Sequence, residues 1–401
     1  MAGPLPDGDP VPDDGALPAS ALTAGDGSLA MYVHVPFCAS RCGYCDFNTY
    51  TAAELGAAPG ASQTSYVDAA LKEISLARGV LGPRTVTSVF VGGGTPTLLA
   101  SETLVTLLGA IRETFGLADG AEVTTEANPE SVTPESLSAL REGGFTRMSF
   151  GMQSAVPHVL RTLDRVHTPG RAAQAVAEAR AAGFDDVSLD LIYGTPGESV
   201  DDWRTSLDAA LAAEPDHVSA YALIVEDGTP LARRIRRGEL PAPDDDDLAD
   251  KYLLADELLG NAGYDWYELS NWARPGHPCS HNVAYWRSTD WWGIGAGAHS
   301  HVGGVRWWNV KHPAAYAERL GQGRSPGHAR EVLTDDQRRV EQVLLEIRLA
   351  DGLSESSLLP SELDRVGDLV ARDLIVRTGG HLVLTLQGRL LADAVVRDLL
   401  D

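Results

Sequence analysis

Three cysteines in one short segment are the residues of this chain best suited to chemistry. Cys38, Cys42 and Cys45 have C-x3-C-x2-C spacing, and the remaining cysteine, Cys279, lies far along the chain. A closed structural zinc site takes four protein ligands, and the sequence has no second cysteine pair to complete one. Thiolates also bind [4Fe–4S] clusters, ordinarily four to a cluster. Three cysteines therefore favour a [4Fe–4S] cluster with one iron open to an outside ligand, with zinc as the alternative.

Glycines and carboxylates at the ends of apolar runs add further chemistry. The run from Gly92 to Pro96 can bring the backbone close to a ligand and expose N–H groups, or it can simply form a tight turn. Glu126 closes one apolar run, and Asp190 lies inside another, where an unpaired carboxylate would be costly. Each feature has an ordinary structural explanation, so these residues by themselves leave their role open.

The elements that must position these residues alternate between strands and helices. Short apolar or β-branched runs lie near 30–35, 86–91, 121–126, 145–150, 186–192 and 217–223. Stretches of helical period lie near 64–79, 101–115, 134–143, 169–182, 199–213 and 247–260. This alternation predicts an α/β fold with parallel strands and right-handed crossovers. Six units rather than eight predict an open (β/α)6 partial barrel, with a doubly wound sheet as the alternative, and either places its site at the carboxyl ends of the strands.

Composition predicts how the rest of the chain is divided. Residues 1–28 hold five Asp, five Pro, five Gly and no Lys or Arg, which predicts a disordered acidic tail before a barrel over 29–263. Residues 264–329 form a connecting segment, and seven of the eight tryptophans lie within it. Over 330–401, two helical stretches, a hairpin and a last helix predict a small winged-helix-like α+β domain. This domain has no basic stripe, so packing or a lid is the expected role.

Charge and hydropathy exclude several classes of partner. The chain has 32 Lys+Arg against 56 Asp+Glu, a formal charge of −24, which argues against nucleic acid. No apolar run approaches the roughly 18–20 residues that span a bilayer, so membrane association is expected to be peripheral at most. The N-terminus lacks a secretory signal pattern. A cytoplasmic location, which keeps thiols reduced, is therefore expected.

The cysteine segment resembles that of the radical SAM superfamily. In that superfamily a three-cysteine loop binds a [4Fe–4S] cluster, whose open iron is chelated by S-adenosylmethionine (SAM). The run from Tyr32 to Cys38, YVHVPFC, is similar to the opening motif of the oxygen-independent coproporphyrinogen III oxidases and of the related haem chaperones. The resemblance covers about 29–401 and implies a partial barrel of the radical SAM type. It also implies these SAM-contacting positions: Tyr32, Tyr44, Gly93, Gly94, Thr95, Glu126, Gln153, Arg165 and Asp190.

Two departures from the oxidase pattern favour the chaperone branch of this resemblance. The oxidase loop has a fourth cysteine where this chain has Phe47, and residues 1–28 lack the oxidase's N-terminal motif. Ser270-Asn271 and the H-N-x-x-Y-W run that begins at His281 also match the chaperones. The resemblance thus implies a protein that binds haem and hands it to an acceptor protein. The alternatives are oxidative decarboxylation of coproporphyrinogen III by a 5′-deoxyadenosyl radical and radical chemistry on another substrate.

The segment rich in tryptophan and histidine is the expected place for haem contact. Imidazole is a common axial ligand of haem, and aromatic rings cover flat apolar ligands. By the resemblance, His281 is the candidate haem contact. The alternative is that these tryptophans and histidines only pack the open edge of the barrel.

Overall fold

The computed structural model describes residues 6–23, 27–56, 60–165 and 168–400. The strands in these residues are β1 (Asp9–Pro10), β2 (Ser28–Val35), β3 (Thr85–Gly93), β4 (Leu117–Ala127), β5 (Arg147–Gln153), β6 (Asp186–Tyr193), β7 (His217–Ala222), β8 (Asp265–Glu268), β9 (Asn271–Ala273), β10 (Trp291–Ile294), β11 (His299–Val302), β12 (Val305–Asn309), β13 (Gly327–Val332), β14 (Leu353–Ser354), β15 (Ile375–Thr378) and β16 (His381–Leu384).

The helices in the same residues are α1 (Ala19–Leu22), α2 (Ala52–Leu55), α3 (Gln63–Leu81), α4 (Ser101–Phe115), α5 (Pro134–Gly143), α6 (Pro157–Thr162), α7 (Arg171–Ala181), α8 (Val200–Ala212), α9 (Pro230–Arg236), α10 (Asp245–Asn261), α11 (Ser280–Trp286), α12 (Pro313–Gly321), α13 (Asp335–Glu346), α14 (Pro360–Ala371), α15 (Leu386–Leu390) and α16 (Ala392–Leu400). None of the helices described here combines the length and the apolar character that a membrane crossing requires.

The predicted partial barrel is confirmed. Strands β2 to β7 are parallel and lie side by side in chain order, one for each of the six predicted runs. Val187, Leu189 and Leu191 of β6 are fully buried, as expected of a parallel strand covered on both faces. β2 and β7 pair with β10 and β9 rather than with each other, so the barrel stays open. Parallel strands end on one side, and this side is the mouth of the barrel.

The segment over 264–329 joins the barrel sheet at both of its edges. β9 pairs antiparallel with β7 and is followed by β8, while β10 pairs parallel with β2 and is followed by β11, β12 and β13. Trp272, Trp292 and Trp307 are buried in the main apolar core. Many aromatic residues of the 264–329 segment therefore pack against the sheet. β10 is a seventh parallel strand, which the sequence did not predict because its apolar run is short.

The prediction of a disordered tail over 1–28 is wrong for residues 6–23. β1 pairs antiparallel with β13, and Val11, Leu17 and Leu22 pack against the main core. Ala21 in α1 is buried against Gly303. The segment is held by backbone pairing at the sheet edge, which needs no apolar side chain, and by a few apolar residues. A count of acidic residues shows neither of these contacts. Residues 1–5 and 24–26 of the predicted tail lie outside the described residues.

The last part of the chain has its own apolar core. α13, α14, the β15–β16 hairpin and α16 follow in that order, and β14 completes a three-stranded sheet. The Arg389 guanidinium forms two ion-pair contacts with Asp256, at 2.7 and 2.8 Å, and lies 4.5 Å from the centre of the Trp266 ring. This unit is therefore attached beside β8, away from the cysteine loop.

Candidate cofactor site at the barrel mouth

One cavity of about 840 Å³ opens at the carboxyl ends of β2 to β7. Its volume lies within the 300–1,000 Å³ that small-molecule and cofactor sites typically have. All of the residues that the sequence singled out line it: Tyr32, Cys38, Cys42, Tyr44, Cys45, Gly93, Gly94, Thr95, Glu126, Gln153, Arg165, Asp190 and His281. The fold thus brings together residues that are spread over most of the barrel sequence.

The cysteine loop follows β2 and is fastened by backbone hydrogen bonds. The N–H of Cys38 donates to the carbonyl of Tyr50 at 3.0 Å, and the N–H of Gly43 donates to the carbonyl of Leu163 at 3.0 Å. The carbonyl of Gly43 accepts from the N–H of Leu231 at 2.9 Å, at the start of α9. All three thiols of the loop are half-buried at the edge of the cavity.

The spacing and chemistry of the three thiols fit a cluster better than a single ion. Their sulfurs do not form a group within 4.8 Å of one another, whereas Zn–S bonds of about 2.3 Å in a tetrahedron place sulfurs about 3.8 Å apart. Arg165 Nη1 lies 3.4 Å from Cys42 Sγ and supplies positive charge beside it. Burial raises the pKa of Cys38, and it raises that of Cys45 to about 11, so metal binding must displace their protons. Cys279 is buried and hydrogen-bonded to Glu122, so it does not complete the set.

The glycine loop after β3 is shaped by its contact with the end of β2. A Cβ at Gly93 would lie 2.6 Å from the His34 ring, and one at Gly94 would lie 2.4 Å from the carbonyl oxygen of Phe37. The N–H of Gly94 donates to Val35 and that of Thr95 to Phe37, at 2.8 and 2.7 Å. The expectation of N–H groups free for a ligand is therefore wrong here, because these groups already bind the protein. Because its glycines have no side chains, the backbone of this loop can instead lie close to a ligand.

Two carboxylates face the cavity and have no ion-pair partner at salt-bridge distance among the residues that the structure describes. Glu126 accepts the N–H of Gly93 at 3.0 Å, and burial together with the charge of Asp190 raises the pKa of Glu126 to about 8. Asp190 accepts the hydroxyls of Ser149 and Ser219 at 2.9 and 2.8 Å, and burial raises its pKa as well. Their donors are all neutral, which leaves acceptor capacity for ligand hydroxyl or ammonium groups.

Gln153 and Arg165 lie at the same rim, Gln153 with an uncommon backbone conformation and Arg165 with a side-chain nitrogen left for a ligand. Gln153 has φ of 64° and lies where the register between β5 and β6 shifts. Non-glycine residues in this region are strained by about 1–3 kcal/mol and cluster at functional sites. Arg165 Nη2 donates to the carbonyl of Gly151 at 2.9 Å, while its Nε has no protein acceptor among the described residues. A Cβ at Gly151 would lie 2.6 Å from the Gln153 amide nitrogen and 3.0 Å from Arg165 Nη2, so any larger residue there would have to displace the ends of these side chains.

The two tyrosines lie on β2 and within the cysteine loop and have different neighbours. The Tyr32 hydroxyl lies 3.0 Å from His34 Nδ1, and its ring is stacked with Phe90 at a centroid distance of 6.3 Å. Tyr44 packs against an apolar group that includes Leu223 and Leu231. Burial raises the pKa of both hydroxyls, so both stay protonated.

His281 has surroundings unlike those expected of an axial haem ligand. It is 1% exposed, and its Nδ1 and Nε2 lie 2.9 and 3.0 Å from the hydroxyls of Ser88 and Tyr285. Phe90 stacks on its ring at 5.2 Å. Burial lowers the pKa of His281 to about 3, so the ring is neutral. With both nitrogens engaged, His281 would need to rearrange before it could bind iron.

A network of paired charges lies at the amino ends of the same strands, and sequence reasoning missed it. Arg147 Nε donates to Glu122 at 3.1 Å, and its Nη2 lies 3.4 Å from Asp186. Glu122 also accepts the N–H groups of Ser280 and His281, both at 3.0 Å, at the start of α11. The signal that could have revealed it is the position of Glu122 and Asp186 four residues before Glu126 and Asp190 on the same strand faces.

Comparison with known proteins places this architecture in a defined class. The model of the radical SAM superfamily matches residues 32–210, the stretch that carries the cysteine loop and most of the cavity residues. The solved structure of the coproporphyrinogen III oxidase HemN from Escherichia coli, described as a radical SAM enzyme, has the same fold. Its TM-score is 0.81 at 24% identity, over 94% of this chain and 92% of that one. The fold and the family model thus define a radical SAM protein.

Curated relatives give the family within that class. The chain is 56% identical to the heme chaperone HemW of Mycobacterium tuberculosis H37Rv over 384 residues, which cover 96% of this chain and 97% of the relative. It is 32% identical to the HemW of Bacillus subtilis over 91% of this chain and 97% of the relative. The chain therefore belongs to the HemW family.

Proposed function

We propose that this protein is a haem chaperone that binds haem and passes it to an acceptor protein, with a [4Fe–4S] cluster and SAM at the mouth of its barrel. The observation that carries the proposal is the single cavity lined by the three cysteines and every predicted SAM position. It occurs in a chain that is 56% identical, over nearly its full length, to a relative named heme chaperone HemW. Its expected place of action is the cytoplasm, where thiols stay reduced.

The cysteine loop is the proposed cluster site. Cys38, Cys42 and Cys45 would hold three irons, and Arg165 would offset the negative charge of the thiolates. A bound cluster supplies a one-electron centre whose potential depends on its net charge, its hydrogen bonds and its exposure. The protein's part is to hold the thiols apart and to keep one side of the site open to the cavity.

The rest of the cavity is the proposed SAM site. Gly93, Gly94 and Thr95 shape the wall next to the cysteine loop, and Glu126 and Asp190 present acceptors for the hydroxyl and ammonium groups of SAM. The other proposed contacts are Tyr32, Tyr44, Gln153 and Arg165. His281 stays a proposed haem contact that its engaged nitrogens do not favour.

The test is a haem titration of anaerobically reconstituted protein, with a matched sample that lacks the cluster. We expect a saturable change in the Soret band, followed by transfer of haem to an apo-haem protein. Incubation with coproporphyrinogen III, SAM and a reductant is the second arm. Protoporphyrinogen formation at enzymatic rates, without haem binding, would overturn the proposal in favour of the oxidase.

A further inference from the structure

Large apolar side chains are exposed around the mouth of the cavity. Phe47, Tyr221 and Ile224 are 60%, 46% and 55% exposed, and all three line the cavity. A single exposed apolar residue needs no explanation, but several at one opening mark a binding surface. We call these three residues the apolar rim.

The two segments that carry the rim are joined beneath it. Phe47 belongs to the cysteine loop, and Tyr221 and Ile224 lie at the end of β7 and just after it. The backbone bond between Gly43 and Leu231 ties the first segment to the second. Tyr44 packs into the apolar group formed by Ile192, Leu223 and Leu231, immediately below. The rim is therefore supported by a packed base.

Charged side chains of both signs border the cavity near the rim. Arg41 lies on the cysteine loop with 38% of its side chain exposed, and its guanidinium is oriented by Glu54 at 3.4 Å and by the carbonyl of Thr49. Asp46 and Glu226 also border the cavity and would repel carboxylates. Haem is a flat apolar ring with two propionates along one edge. Its flat apolar face can pack against the apolar rim. Its two negatively charged propionates can be placed favourably only on the side where Arg41 lies.

We infer that haem binds flat against the apolar rim, with its propionates toward Arg41, and not deep in the cavity. This assignment rests on the proposed haem-binding function. The deeper wall carries Glu126 and Asp190, which suit a polar ligand, and His281 has no free nitrogen. The rim also borders the cysteine loop, so haem there would lie beside the cluster site without occupying the SAM wall.

The experiment compares haem affinity among surface variants of the full-length, cluster-loaded protein. Phe47→Ser and Ile224→Ser should each weaken haem binding roughly tenfold, since each removes the burial of a large apolar side chain. Arg41→Gln should weaken it less, by roughly threefold. Val376→Ser, at a 43% exposed position on β15, is the matched control and should bind like the parent.

Iron content and binding of S-adenosylhomocysteine are measured on the same samples and should stay at parental levels in Ile224→Ser and Val376→Ser, which lie outside the cysteine loop. For Phe47→Ser and Arg41→Gln, haem affinity is compared only on protein whose iron content equals that of the parent. If the parent binds haem and the rim variants bind it equally well, the rim assignment is wrong. If His281→Ala alone abolishes binding, the deep site replaces the rim. If the parent itself binds no haem, the proposed function fails, and the assignment falls with it.

Discussion

The two ends of β4 and β6 make the most instructive comparison in this molecule. Each strand carries two carboxylates four residues apart on one face: Glu122 and Glu126 on β4, and Asp186 and Asp190 on β6. At the amino ends, Arg147 pairs with Glu122 and Asp186. At the carboxyl ends, the donors that Glu126 and Asp190 have in the described part of the chain are all neutral.

The difference separates charges that serve the fold from charges that serve a ligand. A buried carboxylate that is paired with a cation is satisfied within the protein, and breaking such a pair is costly. A buried carboxylate with neutral donors keeps a raised pKa and is ready for a partner from outside. The amino-end network therefore satisfies its charges within the protein, while the carboxylates at the mouth keep acceptor capacity for the proposed cofactors.

The largest expected effect is at the mouth and comes from the cysteines. Replacing Cys38, Cys42 or Cys45 by Ala removes one of the three proposed cluster ligands, so we expect near-complete loss of bound iron and sulfide after anaerobic reconstitution. Metal analysis and the visible absorption of the cluster are the measurements.

Cys279→Ala is the matched control for these variants. This thiol is buried beside Glu122, far from the cysteine loop in the sequence, and should not be a ligand. Iron content that falls as far in this variant as in the other three would contradict the three-cysteine site.

The next largest effect is expected at the amino ends. Arg147→Met leaves Glu122 and Asp186 without their shared cation, and breaking a buried pair in this way costs about 3–5 kcal/mol. Chemical denaturation followed by circular dichroism measures the free energy of unfolding. Arg287→Met breaks an exposed pair with Asp351 and should cost about 1 kcal/mol or less. Equal losses in the two variants would remove the distinction between buried and exposed pairs.

Two variants on β4 test whether its two carboxylates have different roles. Glu126→Gln should weaken S-adenosylhomocysteine binding by roughly tenfold to a hundredfold, since a hydrogen bond to a charged group contributes about 1.5–3 kcal/mol. Glu122→Gln should lower the free energy of unfolding and leave that binding near the parental value. Calorimetric titration and denaturation on both proteins give the two readouts. The same loss of ligand affinity in both would show that the ends of the strand are not specialised.

The last expected effect is a pH dependence that comes from Glu126. Its pKa is about 8 in the folded protein against an ordinary value of 4.5, so the folded state binds more protons between these limits. The free energy of unfolding contributed by this group therefore falls as pH rises from about 4.5 to about 8. Glu126→Gln removes this dependence, so the variant should gain stability relative to the parent across that window. A parent and a variant with parallel pH profiles of unfolding free energy would contradict the raised pKa.

The sequence predicted the barrel, and the residues that it singled out share one cavity, for a physical reason. Parallel strands buried on both faces have apolar runs that are easy to recognise, and their carboxyl ends must meet at one edge. For that reason residues as distant as Cys38 and Asp190 could be assigned to one cavity.

What the sequence missed depends on contacts between distant segments. The short WWGI run of β10 has too few residues for a clear period, and β1 is held by backbone pairing that composition does not reveal. The engaged nitrogens of His281, on α11, depend on Tyr285 of the same helix and on Ser88 of β3, far away in the sequence. The Arg147 pairs likewise join residues that no local pattern connects.

The two backbone bonds of Gly43 bear on how the protein matures. Its N–H and its carbonyl are held by Leu163 and Leu231, both of which leave the ribosome long after the cysteine loop does. Contacts so distant along the chain form late, because the intervening chain must be closed into loops first. The cysteines thus reach their final arrangement only when the barrel is nearly complete. Iron loading should accordingly be a step of the finished chain, and an assembly factor that delivers a cluster would meet a folded client.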